Sequence, residues 1–209
     1  SMALTQLAEI RLDQRRNDEA LELAKEAMAL RQRCGDERGV VASHRLLAEV
    51  HLQSHALPDA RRVAARGLEM ATRRGMASEQ AHLHLLLGAF SLRAGKTSEA
   101  RAHAEQVTSR GTGLLDLQLL GLKLAQSAAL RAGDRETAGR LADTWFRRME
   151  ALPLARVRYM FGRMARLGLD TSRRCVVRVN QDVQSTTLDH AALVDLPAFD
   201  VAVDTVRRR

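Results

Sequence analysis

The chain is poor in aromatic residues. Phe, Trp and Tyr make up 3% of its 209 residues, too few for the stacking platforms that hold single-stranded nucleic acid. Proline stands only at 58, 153 and 197, so long stretches carry no helix breaker of that kind. The two cysteines, Cys34 and Cys175, are far apart and share no metal-ligand spacing. Their placement argues against a disulfide framework and sets a reducing, cytoplasmic compartment as the expectation. No signal-peptide pattern and no apolar run long enough to cross a bilayer is present. Lysine is nearly missing as well: Lys25, Lys96 and Lys123 are the only three among 33 basic residues, a bias associated with GC-rich, bacterial coding sequences.

Alanine, leucine and arginine dominate instead. All three are strong helix formers, and with hydrophobic residues at 45% the chain can build a helical core closed by small side chains. The net charge is +8 and the isoelectric point about 10.8, which brings acidic partners into consideration. The arginines are nevertheless dispersed. Arg15-Arg16, Arg61-Arg62, Arg73-Arg74, Arg147-Arg148 and Arg173-Arg174 are separate pairs, which favours a solvated exterior; nucleic acid as a partner has no supporting motif.

Self-similarity organises the chain. Leu7-Ala8-Glu9-Ile10-Arg11-Leu12 precedes Asn17-Asp18-Glu19-Ala20, and Leu47-Ala48-Glu49-Val50-His51-Leu52 precedes Leu57-Pro58-Asp59-Ala60. Leu87-Gly88-Ala89-Phe90-Ser91-Leu92 precedes Thr97-Ser98-Glu99-Ala100, and a weaker copy runs from Ala125 through Gly133-Asp134 to Ala138. The anchoring alanines at 20, 60, 100 and 138 give periods of 40, 40 and 38, the range of helical-pair repeats.

Each unit reads as two helices. The first carries apolar residues at helical spacing: Val40, Leu46, Leu47 and Val50, then Leu83, Leu86, Leu87 and Phe90. A break at Pro58, Gly95-Lys96 or Gly133-Asp134 follows. Thr97 or Ser98 is expected to cap the second helix of the third unit, with Glu99 in its first turn. The second helices present Ala20, Ala24 and Ala27; Ala60, Ala64 and Gly67; and Ala100, Ala104 and Val107. Small residues there let helix axes approach closely.

The Leu-Ala or Leu-Gly pair followed by Gly-x-x-x-x-Ala, as in Leu87-Gly88 and Gly95 to Ala100, resembles the tetratricopeptide repeat family. The longer period is similar to variants found in bacterial signalling and transcriptional regulators. The resemblance covers roughly residues 3–152. Arg11, His51 and Ser91 stand where the family often has tyrosine, and Ala125-Gln126 replaces the leucine–small pair in the fourth unit. The implied fold is an all-α superhelical repeat, an α-α solenoid with a concave binding surface.

The resemblance also implies a binding groove. In the family, ligands contact first-helix residues flanking the leucine–small pair. That register points to Arg45, Glu49 and Gln53 in the second unit, to His82, Ala89 and Arg93 in the third, and to Lys123, Ser127 and Arg131 in the fourth. Four cations against one carboxylate imply an acidic protein or peptide partner. Thr5 and Glu9 occupy the matching first-unit sites, so the lysine–asparagine clamp of chaperone-tail binders is not reproduced.

Chemistry finds little support. His51 and His55 are four apart on one predicted helix, yet no third ligand accompanies them. His82 and His84, two apart, point in different directions on a helix. Cys34 has no assignable base, and neither a phosphate loop nor a nucleophile elbow is present. No catalytic residue, metal or cofactor is assigned.

Beyond Pro153 the pattern changes. Residues 154–167 read as one more amphipathic helix, with Val157, Met160, Phe161 and Met164 on one side, expected to cap the solenoid and complete a unit spanning 1–168. Residues 169–209 read as a small strand-containing appendage. Cys175-Val176-Val177-Arg178-Val179 has strand propensity and offers an edge for self-association; 183–187 could return beside it, and 192–206 is ambiguous between strand and helix. This tail resembles the start of a winged-helix domain only in outline. The favoured function is a non-catalytic interaction scaffold. The alternative is the regulatory repeat region of a bacterial transcription factor, with DNA contacted by the tail or by sequence beyond it.

Overall fold

Seven helix ends close in the same way. At each, one residue enters the left-handed region: Arg15, Gly35, His55, Gly75, Gly95, Gly133 or Gly168. The next amide then donates back to the carbonyl five residues earlier, as Lys96 does to Ser91 (2.8 Å), Ala56 to His51 (2.9 Å) and Asp134 to Ala129 (2.9 Å). This pattern satisfies carbonyls that a helix terminus would leave open and reverses the chain sharply. Repeated at nearly constant spacing, it produces a stack of antiparallel helices.

The computed structural model describes residues 2–111, 113–149, 152 and 154–169. Among them are nine helices: α1 (Met2–Asp13), α2 (Asn17–Arg33), α3 (Glu37–Gln53), α4 (Leu57–Arg73), α5 (Ala77–Arg93), α6 (Thr97–Arg110), α7 (Leu115–Arg131), α8 (Arg135–Met149) and α9 (Leu154–Leu167). The first eight form four pairs. The tail segments at 175–179, 183–187 and 192–206 lie outside the described residues.

Helix starts follow local chemistry in part. Asp36 accepts from the Gly39 amide (2.9 Å) at the start of α3, Asp134 accepts from Thr137 (3.0 Å) at the start of α8, and Pro58 sits in the first turn of α4. The cap expected from Thr97 or Ser98 is not formed: Lys96 occupies the cap position of α6 and no side chain bonds there. Thr97 is already helical, because the left-handed Gly95 reverses the chain two residues earlier.

Consecutive helices from α1 to α8 pack against one another, and α1, α3, α5 and α7 also touch in succession. These first helices form a continuous layer, the inner layer of the stack, over which α9 lies. The second helices bury Ala20, Ala24, Ala27, Ala60, Ala64, Ala100 and Ala104. A Cβ on Gly67 of α4 would come 2.8 Å from the Cβ of His44 on α3, so glycine permits that approach. Larger apolar side chains of the first helices, including Leu46, Leu83, Leu85, Leu92, Leu119, Leu120 and Leu124, fill the space between pairs.

Helix α9 does not extend the stack where a closing helix was expected. Its backbone approaches α3 and α7, which places it along the inner layer. Met160, Met164 and Leu167 are fully buried and join the main core. Phe161 meets Trp145 of α8 edge to face, with ring centroids 5.8 Å apart.

Candidate interaction groove

The inner layer carries a charged row at its N-terminal half. Arg45 of α3 lies 3.5 Å from Glu9 of α1, 3.7 Å from Glu49 and 4.0 Å from Glu79 of α5. Three carboxylates from three first helices therefore converge on one guanidinium. Asp13, at the end of α1, faces the same space.

Helix α9 supplies the remaining cations. Arg166 pairs with Asp13, and its Nε lies 3.5 Å from Glu49 Oε1. Arg163 is 7% exposed, and its Nη1 donates to the Tyr159 hydroxyl at 3.4 Å. Arg156, near the other end of α9, pairs with Asp116 at the start of α7 (2.8 Å). The helix is thus held over the inner layer by arginines near both ends and an apolar face between them.

Glu49 is the centre of this arrangement. It is 3% exposed, and burial alone would raise its pKa. The cationic side chains of Arg163, Arg166 and Arg45 override that burial and hold the carboxyl below its ordinary value. For Arg163, burial opposes the charge, but Glu49, Tyr159 and Glu9 raise its pKa. His82 is forced the other way. Burial, then Arg45 and Arg163, lower its pKa to about 4, while its Nδ1–H donates to the Ser78 carbonyl at 3.0 Å. It is neutral near pH 7 and adds no cation to the groove.

A cavity of about 240 Å³ remains between α9 and the inner layer, bounded by Glu9, Glu49 and Glu79 on one side and by Tyr159, Arg163 and Arg166 on the other. Glu49 Oε1, Glu79 Oε2, Arg163 Nε and Arg166 Nε are buried yet make no hydrogen bond, although the Arg166–Glu49 distance is that of an ion pair. The charges compensate one another without good hydrogen-bond geometry.

The residues carried over from the repeat register separate into two groups. Arg45, Glu49 and His82 meet at this charged row. Arg93 and Arg131 do other work. Arg93 reaches the Leu52 carbonyl at the end of α3 and lies 3.4 Å from the Arg166 carbonyl, whereas Arg131 donates to the Leu92 carbonyl at the end of α5 (2.5 Å). Each closes the C-terminus of the preceding first helix. Gln53 stands at the matching position of α3, with its Nε2 buried and unbonded. Lys123 is buried, donates to Gln126 (2.8 Å) and lies 5.2 Å from the Trp145 ring centre; Ser127 is buried and donates to the Lys123 carbonyl (2.9 Å). The count of four free cations against Glu49 does not hold, because three of those cations are engaged elsewhere. Register reasoning missed Asp13, Glu79, Arg163 and Arg166. All four were in the sequence as charges on inner-layer or amphipathic helices, but only the folding back of α9 gives them a common site.

The histidine spacing resolves differently from expectation. Helix α3 ends at Gln53, so His55 lies in the turn at φ 57° and does not share a helix with His51. Among the described residues no group of three or more His, Cys, Asp or Glu side chains is placed to hold a metal ion. No helix there is long and apolar enough to cross a membrane.

Comparison with known proteins agrees with this geometry. The tetratricopeptide repeat family profile matches residues 1–73. The chain carries a tetratricopeptide-like repeat. A crystal structure of BtubC (BKLC) from P. vanneervenii matches with a TM-score of 0.61 at 19% identity, over 71% of this chain and 62% of that one. The chain thus spans less than two thirds of that protein, and at this identity the likeness concerns the fold. No curated protein matches significantly by sequence. Tetratricopeptide repeats generally mediate protein–protein interaction and are typically non-enzymatic.

Proposed function

We propose that this tetratricopeptide-like chain is a non-catalytic interaction scaffold that docks a protein segment on the inner face of α1, α3 and α5. The observation that carries the reading is the convergence of Glu9, Glu49 and Glu79 on Arg45 beneath a segment already seated there. Apart from α9, the N-terminal half of this face presents Glu9, Asp13, Glu49 and Glu79 against Arg45 and a neutral His82, and is acidic. The acidic partner implied by residue counting is replaced by a basic one, since complementary charge sets orientation and suppresses wrong partners.

Site-specific photo-crosslinking tests the surface. A crosslinker at Glu9 or Gln53 should capture partner protein, and one at Glu69 or Glu105, on the second helices, should not. Glu49→Lys should abolish the Glu9 and Gln53 products while far-ultraviolet circular dichroism stays helical. Equal capture from both faces would overturn the assignment of the docking surface.

A further inference from the structure

The seat of α9 shows what kind of segment the groove accepts. The helix carries no acidic residue: its sequence, LARVRYMFGRMARL, combines Arg156, Arg158, Arg163 and Arg166 with apolar residues. Its buried face is Met160, Met164 and Leu167; Arg166 pairs with Asp13 of α1 and Glu49 of α3, Arg163 sets its buried charge beside Glu49, and Arg156 pairs with Asp116 of α7. An amphipathic helix laid in a groove is a recurrent mode of recognition, read from apolar anchors one turn apart. Here the anchors are methionine and leucine, side chains that adapt to irregular surfaces.

Two features set this contact apart from the helix pairs of the stack. The stack interfaces are built mainly on buried alanine and leucine, whereas α9 leaves a cavity of about 240 Å³ against the inner layer. At that cavity four charged atoms, from Glu49, Glu79, Arg163 and Arg166, are buried without hydrogen bonds, and a buried polar group left unbonded is costly. In addition, α9 does not follow the alternation that builds the other pairs; it returns to α3 and α7. The seat has the right charge and apolar pattern but an incomplete fit.

We propose that α9 is an exchangeable intramolecular occupant of the groove, and that the partner supplies an amphipathic helix with two arginines one turn apart beside a methionine- or leucine-rich face, which takes the place of α9. This rests on the docking surface proposed above. An occupied groove lowers the apparent affinity of an outside ligand by the fraction of molecules in which the seat is open. Weakening α9 while leaving α1, α3 and α5 intact should therefore strengthen binding.

The test uses the full chain and a fluorescent synthetic peptide of residues 154–169 as the probe. Arg163→Ala with Arg166→Ala in the chain should tighten peptide binding at least tenfold over the unaltered chain, read by anisotropy. Glu49→Lys with Glu79→Lys should remove binding, as should replacing both arginines by glutamate in the peptide. Equal affinity of the unaltered and Arg163→Ala/Arg166→Ala chains would overturn the proposal. A second measurement, independent of any substitution, is amide hydrogen exchange on the unaltered chain. Saturating peptide should speed exchange in α9 and slow it in α3 and α5. Peptide bound with α9 exchange unchanged would overturn exchange while leaving the docking surface standing, whereas failure of the crosslinking above would remove the surface itself. Concentration-dependent dimers that vanish on Arg163→Ala/Arg166→Ala would assign the seat to a second copy and overturn the separate partner.

Discussion

Glu49 on α3 and Arg166 on α9, remote in sequence, face each other across the inner layer with Oε1 and Nε 3.5 Å apart. The carboxylate is almost wholly buried, and it is ionised there because three arginines surround it. Removing its charge while keeping its shape isolates that electrostatic balance. Glu49→Gln leaves Arg45, Arg163 and Arg166 without their shared counter-ion. Breaking one partner of a buried charged set costs about 3 kcal/mol, and this loss should appear as a lower urea midpoint. Amide exchange should rise first in α9, because that helix depends on the pairing. An unchanged midpoint would mean that solvent already screens the cluster.

The histidines set the acid side of the stability profile. His82 and His84 both have pKa values lowered to about 4, against an ordinary 6.5. Burial is the main cause for each, with Arg45 and Arg163 acting on His82, and His103 and Arg110 on His84. The Nδ1 atoms of His84 and His103 are 3.0 Å apart, so one donates to the other only while a ring is neutral. Above about pH 6.5 both folded and unfolded chains hold these groups neutral, and stability is insensitive to them. Between about 6.5 and 4 the unfolded chain binds more protons, so stability falls as pH falls. The melting temperature should be level above pH 7 and decline through that window. His82→Gln with His84→Gln should make the decline shallower; an equally steep profile would assign it to the other histidines whose pKa burial lowers, His44, His51 and His103, or to carboxylates.

Much of the architecture is legible before the structure. The alanines at 20, 60, 100 and 138 are buried at the close approach of each helix pair, and the glycines at 95 and 133 stand in the left-handed turns. These positions are dictated by local sterics, which a sequence records residue by residue. The groove was less legible. Arg93 and Arg131 have the same residue type and register as a ligand-binding cation, but whether a guanidinium meets solvent or a neighbouring carbonyl depends on the spacing of adjacent helices. The direction of α9 is likewise absent from its own amphipathic pattern, which states that one face is buried and not against what.

Arg131 separates these roles experimentally. Its Nη1 donates to the Leu92 carbonyl at 2.5 Å, the end of the neighbouring first helix. Arg131→Met keeps the aliphatic stem and deletes the donor. The loss should be about 1.5–3 kcal/mol, the net value of a hydrogen bond made by a charged group, with peptide binding to the groove unchanged. A tenfold loss of binding at unchanged stability would return Arg131 to the ligand site.

The left-handed turn inside each helix pair offers a stabilising change. The position is Arg15, His55, Gly95 and Gly133 in the four units, with φ of 60°, 57°, 75° and 80°. A side chain there brings Cβ against the following carbonyl, costing about 1–2 kcal/mol, whereas glycine accepts the conformation. Glycine also gives up more freedom on folding, which offsets roughly half of the gain. His55 is exposed and lies in the turn after α3, so little packing is lost with its ring. His55→Gly should raise stability by about 0.5–1 kcal/mol, or about 1–4 °C in melting temperature for a chain of this size. The reciprocal change, Gly95→Ala, should lower stability by a similar amount: nothing lies within 4 Å of the added Cβ, so backbone strain is the only cost. If His55→Gly lowers the melting temperature while Gly95→Ala also lowers it, the His55 ring contributes more than its turn geometry costs.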